Sequence, residues 1–463
     1  MRFLLGLVLI LALAAGGAFM AAGRMAGPSI DISKPAKFVG TASPFEVGVS
    51  APGANLKDLR IVLEQDGKQH PLFTLAEQKG ATVKQDGADK VLVTGTVGRE
   101  QVPELKSGAA RLVVTASRPV LYGLRTVQAN AAKDVQVRLE RPRVSIVSTH
   151  HYVNHGGSEV LVYRVTPPDI TSGVLVGDVE YPGHSAAGVT VEGVRIPDPA
   201  VRVAFFALLH DQDLKTPIRL FARDEAGNTA RADFDYRVFP KPFRRSRINL
   251  DDPFLERVVP AILEGTTEIR PEGDTLAKFL AINGELRRKN AEKIASFASQ
   301  TTPEVLWRGA VFHPFTNSAV ESAFADHRTY VYKGREVDQQ VHLGFDLASY
   351  TGTPIVAANR GKVLFADELG IYGNCVIVDH GMGVQSLYAH LSSMDVKAGE
   401  MVEKEATLGR SGMTGLAGGD HLHFTMLVNG KMVNPVEWWD AHWIEDRILR
   451  KLRAAGGSST VQP

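Results

Sequence analysis

Behind Met1 and Arg2 the chain opens on an apolar run, Phe3 to Gly23, that holds no charged side chain. As a helix rising about 1.5 Å per residue, this run is roughly 30 Å long, the thickness of a bilayer core. The strongly apolar part, Phe3–Leu13, is followed by small residues, Ala14–Gly23. That order reads either as a cleaved export signal or as an uncleaved anchor in the inner (cytoplasmic) membrane, and the anchor is preferred. Both readings assign residues 1–27 to export and place the remainder outside the cytoplasm.

From about Ser29 to Pro240 the period of the pattern shortens. β-Branched runs such as Arg111-Leu-Val-Val-Thr115, Val135-Gln-Val-Arg-Leu139 and Val160-Leu-Val-Tyr-Arg164 recur between turn clusters such as Ala51-Pro-Gly-Ala54 and Asp224-Glu-Ala-Gly-Asn228. Short strands with turn chemistry between them predict sandwiches, with a seam at Arg141-Pro-Arg143. The expectation is two immunoglobulin-like β-modules, residues 28–140 and 141–240. Residues 241–304 then read as a helical connector. Phe243-Arg-Arg-Ser-Arg247 looks like a solvated linker, and Asp251-Asp252-Pro253 like a helix start with carboxylates at its positive end. Leu276, Phe279, Leu280, Ile282 and Leu286 follow at helical spacing. Short strands with glycine turns return over residues 305–440, and residues 441–463 read as a terminal helix and a disordered tail. The fold class is mainly β and multidomain.

Composition narrows the function classes. Lys plus Arg number 52 against 51 Asp plus Glu, so nothing in the net charge of +1 draws the chain to nucleic acid, and no local basic patch is large enough to do so. The single cysteine, Cys375, excludes an intramolecular disulfide, a CxxC pair and a thiolate metal cage. Any metal must therefore be held by His, Asp or Glu.

Seven of the 14 histidines fall between residues 305 and 439, and three pieces there carry chemistry. In Gly419-Asp-His421-Leu-His423-Phe, a strand would point both imidazoles to one face, about 6–7 Å apart. In Val341-His342-Leu-Gly-Phe-Asp346, the two polar residues converge if a turn or bulge lies between them. The third piece is Leu387-Tyr388-Ala-His390-Leu-Ser. Two imidazoles and a carboxylate leave a zinc ion a fourth position for water, whose pKa falls towards neutrality. Two further histidines could then move the proton and steady a developing oxyanion.

On these three pieces the region from about Ala319 to Trp439 resembles the lysostaphin/LytM-type zinc metalloendopeptidases that cut peptidoglycan. Thr351-Gly-Thr-Pro-Ile-Val-Ala-Ala, Tyr372-Gly-Asn-Cys-Val-Ile-Val-Asp-His-Gly, Gly412-Met-Thr-Gly415 and Val433-Asn-Pro-Val-Glu-Trp438 extend the likeness. The resemblance implies a small β-sheet metallopeptidase domain with an open groove for an extended peptide. It implies His342, Asp346 and His423 as ligands of Zn2+, and His390 and His421 as the catalytic pair. It also implies a peptidoglycan peptide as substrate and the cell envelope, periplasmic or extracytoplasmic, as location. The competing expectation is a non-catalytic envelope protein that activates or scaffolds cell-wall amidases or divisome components, with an envelope partner on the β-modules. One departure from the family pattern is Glu405, in a turn where a glycine is usual and a positive φ would strain any other residue.

The remaining candidates read as scaffold. His150, His151 and His155 suggest a polar loop, His313 and His327 surface positions near the groove, and His380 a hairpin turn. Cys375 is expected in a buried strand, and Trp438 and Trp439 as core anchors. Asp326–Gln340, just ahead of His342, suggests a hairpin beside the site.

Overall fold

A computed structural model describes residues 2–191, 194–307, 311–315 and 317–457 of the chain. The protein is mainly β, and it clusters into two compact units. The first comprises residues 1–142 with 223–230, the second residues 143–222 with 231–463.

In the first unit the apolar N-terminal run is a helix, Arg2–Ala22. Its side chains from Gly6 to Ala21 are exposed. Among the described residues no helix is long and apolar enough to cross a membrane. The transmembrane signal-anchor expected of residues 3–23, and the membrane as a partner, are therefore not supported by the structure. Beyond the helix, a four-stranded sheet (Ser29–Lys34, Ser43–Ser50, Lys90–Val97, Ala81–Gln85) shares one apolar core with a five-stranded sheet built on Asp58–Gln65, Gly108–Val120 and Arg125–Val137. Alternation produces this core: Phe45, Val47 and Val49 point inward from one strand, and Leu59, Ile61 and Leu63 from another.

The second unit buries strands Ser158–Thr166 and Val201–Ala207 in the same apolar cluster as the C-terminal β-region. Trp438 is fully buried there, its ring 6.0 Å from Phe205 and 5.3 Å from Phe312. Two carboxylates fasten the C-terminal helical segment to these strands. Glu437 accepts from the Ser158 backbone N–H and from Asn154, both at 2.7 Å. Lys451 donates to Glu159 at 2.7 Å, both residues being buried. Residues 441–457 are helical, and the part of the expected tail at 458–463 lies outside the described residues.

Burial pushes the Glu437 carboxyl up to about 7, from an ordinary 4.5. The folded chain then holds that proton more tightly than the unfolded chain between pH 4.5 and 7, so stability falls as pH rises through this window. The full effect is at most about 3 kcal/mol. Urea unfolding at pH 5 and pH 8 should show that loss in the wild type and a smaller one in Glu437→Gln.

The connector is where the pattern and the structure part. Arg245–Leu250, read as linker and helix entry, is a strand that runs parallel to Asp326–Tyr332. Its period-two sequence explains this, since Ser246, Ile248 and Leu250 face inward while Arg245, Arg247 and Asn249 are exposed. The helix Asp252–Gly265 begins as expected, capped by the Asp251 carboxylate accepting from Phe254 N–H at 2.8 Å. The next helix, Thr275–Ala281, widens into a π-turn at Ile282–Leu286 and continues as Arg287–Ser296. The buried Asn283 sits in the widened turn and donates to Asp338 at 2.7 Å.

The last region is an eight-stranded sheet. Its centre is Phe345–Ala348, Leu422–Val428, Val384–Leu391, Asn374–Gly381 and Gly361–Glu368, in that spatial order. Arg245–Leu250, Asp326–Tyr332 and Arg335–His342 form a separate, smaller sheet. The hairpin expected over residues 326–340 is present, extended to His342.

Candidate active site

His342 closes one sheet and Asp346 lies in the other. The chain leaves its strand at Leu343-Gly344, which supplies the turn that the four-residue spacing required. Asp346 is paired across the sheet with His423, and Ala389 is paired with His423 on the other side. Register thus brings three distant segments to one point. His342 Nε2, Asp346 Oδ1 and His423 Nδ1 form a triangle with edges of 2.9, 3.0 and 3.0 Å. Gly344 permits the approach, because a Cβ there would stand 2.5 Å from Cε1 and Nε2 of His423.

The triangle suits a cation better than protons. His342 Nδ1 lies 3.2 Å from the Ala323 carbonyl oxygen, which can only accept, so Nδ1 carries the hydrogen and Nε2 presents a lone pair to the triangle. Three mutually close acceptor atoms on buried side chains are the donor set of a divalent metal. His423 Nε2, the buried nitrogen outside the triangle, has no hydrogen-bond partner among the described residues. Burial pushes the Asp346 carboxyl up, but the neighbouring His342, His421 and His423 imidazoles outweigh it and hold the group well below the usual carboxylate range. Burial takes His423 down to about 4, so both partners favour the proton-free form that binds a metal.

His390 and His421 stand beside the triangle with ring centroids 4.9 Å apart. Each gives its Nδ1 hydrogen to a backbone carbonyl, Thr414 at 2.8 Å and Gly419 at 2.9 Å, so each turns its Nε2 away from the backbone, that of His421 lying 3.5 Å from Asp346 Oδ1. The placement of His390 depends on a bulge. Asn374 pairs with Leu391 and Val376 with Tyr388, so Ala389 and His390 together face the single residue Cys375. His390 takes φ +63°, a left-handed conformation that costs a non-glycine residue energy and re-aims its side chain.

Sequence reasoning missed Arg328. Its Nη2 donates to Asp346 Oδ2 at 2.9 Å and to Ser322 Oγ at 2.7 Å, which fixes the carboxylate so that Oδ1 faces the imidazoles. The even spacing of Arg328 from Asp326 in a strand ahead of His342 was its only signal. The triangle, His390 and His421 line a cleft of about 630 Å³, with Ile248, Phe254, Ile371 and Tyr372 among its apolar walls.

The other candidates lie elsewhere. His151 is locked between Ser148 Oγ and the Asp235 carbonyl, His155 contacts the Gln212 carbonyl, and His150 pairs with Thr149, so they form no shared cluster. His313 and His327 are exposed and outside the cleft lining. His380 is not a turn residue but a fully buried strand residue, bonded to the Arg360 carbonyl and Ser386 Oγ. Cys375 is buried in a strand, and Trp439 packs 5.0 Å from the Phe345 ring. Glu405 does adopt the strained turn conformation, φ +69°, on the surface and away from the cleft lining.

Residues 340–435 match the model of peptidase family M23. The chain carries an M23 peptidase domain. An uncharacterized metalloprotease of Haemophilus influenzae is 37% identical to it over 135 residues, 29% of this chain and 28% of that protein. The peptidoglycan DD-endopeptidase ShyA of Vibrio cholerae is 28% identical over 180 residues, 38% of this chain and 39% of that protein. The chain thus spans well under half the length of these curated relatives. Among solved structures, the catalytic domain of the antimicrobial peptidase lysostaphin from Staphylococcus simulans aligns at 27% identity, covering 26% of this chain and 90% of that one with a TM-score of 0.23. The M23 match begins two residues before His342 and ends beyond His423, so the triangle of His342, Asp346 and His423, together with His390 and His421, lies inside it.

Proposed function

We propose that this chain is a zinc-dependent endopeptidase of the cell envelope that hydrolyses peptide bonds in peptidoglycan stems or cross-links. The observation that carries this reading is the convergence of His342, Asp346 and His423 at the base of a cleft, with the imidazoles of His390 and His421 beside them. The names of matched relatives, one a peptidoglycan DD-endopeptidase, support the substrate class.

The three ligating side chains would hold zinc, which supplies Lewis acidity and a water of lowered pKa when bound. The chain's own contribution is positional. Each imidazole of the pair has one nitrogen fixed on a carbonyl, so only Nε2 is left to take a proton from water or to donate one to the carbonyl oxygen as charge develops there. The apolar walls shield those transfers from bulk water and strengthen them.

The test is a zinc count on the full chain together with an assay for new amino groups released from purified peptidoglycan. One zinc per chain and release that disappears in Asp346→Ala is the expected result. Zinc without release would replace the peptidase with a non-catalytic activator or scaffold of cell-wall enzymes. A wild-type chain that takes up no metal would end both the zinc assignment and the mechanism.

A further inference from the structure

Four arginines line the cleft, Arg244, Arg247, Arg287 and Arg328, and two of them are already matched. Arg328 is held by Asp346, and Arg247 by Glu336 at 2.8 Å. Among the described residues neither Arg244 nor Arg287 has a carboxylate at ion-pair distance. The acidic lining residues are Glu321, Asp326 and Asp346. Asp346 and Asp326 share Arg328, Asp326 also accepting from Ser246 at 2.6 Å, and Glu321 is exposed, so Arg244 and Arg287 are the cleft guanidinium groups without a carboxylate partner among the described residues.

Arg287 is also preorganised. Its Nε donates to the Asn283 carbonyl at 3.1 Å and its Nη2 to Asn283 Oδ1 at 2.7 Å, while Asn283 is itself anchored on Asp338. Half of the guanidinium fork is thereby fixed on the helix and the rest is left unpaired on a half-buried residue. Tyr372 connects this position to the metal triangle. Its ring lies 5.6 Å from that of His423, and it lines the same cleft as Arg287. A rigid, partly desolvated guanidinium is a strong and directional carboxylate receptor, because little side-chain entropy remains to be lost on binding.

From this geometry we propose that Arg287, assisted by the charge of Arg244, is a carboxylate subsite of the cleft. The peptide it selects carries a free carboxylate close to the bond placed over His390 and His421. This inference rests on the peptidase reading for its setting. The carboxylate can come from an acidic side chain or from the peptide's own C-terminus, and both present the same two oxygens.

The experiment measures binding of three fluorescein-labelled peptides to the zinc-loaded full chain by anisotropy. The probes are Ala-Glu-Lys-Ala, the same peptide with an amidated C-terminus, and a doubly amidated form with glutamine in place of glutamate. The wild type should bind the free acid at least tenfold more tightly than the doubly amidated peptide, and the singly amidated probe identifies which carboxylate matters. Arg287→Gln should abolish that preference with zinc content unchanged. Arg287→Lys, which retains charge but loses the fork, should keep only part of it, and it carries the test if the glutamine variant does not fold. Equal binding of acid and amide by the wild type, or an undiminished preference in a folded Arg287 variant, overturns the subsite. A preference in a chain that releases no amino groups from purified peptidoglycan leaves the subsite standing and removes the peptidase reading.

Discussion

His390→Ala should keep its zinc and lose turnover by about 10²–10⁴-fold, the usual range for removing a positioned proton-transfer group. Its imidazole is outside the triangle of ligand atoms, so the donor set for the metal survives the substitution intact. What disappears is an Nε2 held by the Nδ1–Thr414 hydrogen bond and aimed by the bulge at φ +63°. Alanine at a left-handed position adds strain of its own, so His390→Asn, which tolerates that conformation better, is the companion variant. Both should melt near the wild-type temperature, carry one zinc and show the same large loss of kcat/KM on peptidoglycan peptides. Turnover at wild-type rates by either variant would remove His390 from the mechanism, and loss of zinc from both would make it a structural or ligating residue.

Arg328→Ala should lower zinc affinity by about 10–100-fold, the loss seen when the partner orienting a metal ligand is removed. The guanidinium is the neighbour that holds Asp346 Oδ2, and without it the carboxylate is free to rotate away from the imidazoles. In the metal-free chain the same change leaves two buried carboxylates, Asp326 and Asp346, short of a cation, at a cost of order 3–5 kcal/mol. Arg328→Lys retains the charge but cannot bridge Asp346 and Ser322 in the same fixed geometry, so its affinity should fall between the two. A competition titration against a chromophoric chelator measures the affinities directly and needs no assumption about substrate. Unchanged affinity in a folded Arg328→Ala chain would show that Asp346 is oriented by its strand alone.

Local spacing accounts for what could be read without a structure. Alternation in a strand places His421 and His423 on one side, and the Leu343-Gly344 break lets His342 and Asp346 converge. Both are consequences of covalent geometry over a few residues. The helix start at Asp251 was legible for the same reason, since an N-cap acts on a backbone N–H three residues away.

Other features depended on contacts between residues far apart in the chain. The basic stretch at Arg244–Arg247 looks solvated in isolation, yet Arg245–Leu250 pairs with a strand some 80 positions later and so becomes a wall of the cleft. His380 and His390 are two similar histidines in neighbouring strands. Packing buries one as a structural residue, and a one-residue bulge turns the other toward the metal triangle. Arg328 has no motif, and its importance comes from lying opposite Asp346 once two sheets meet. The sequence alone determined which residues could act together, because period and turn chemistry are local. Only the tertiary structure decided which of them meet and which arginines remain free to bind, because strand register and burial are set by the whole packed fold.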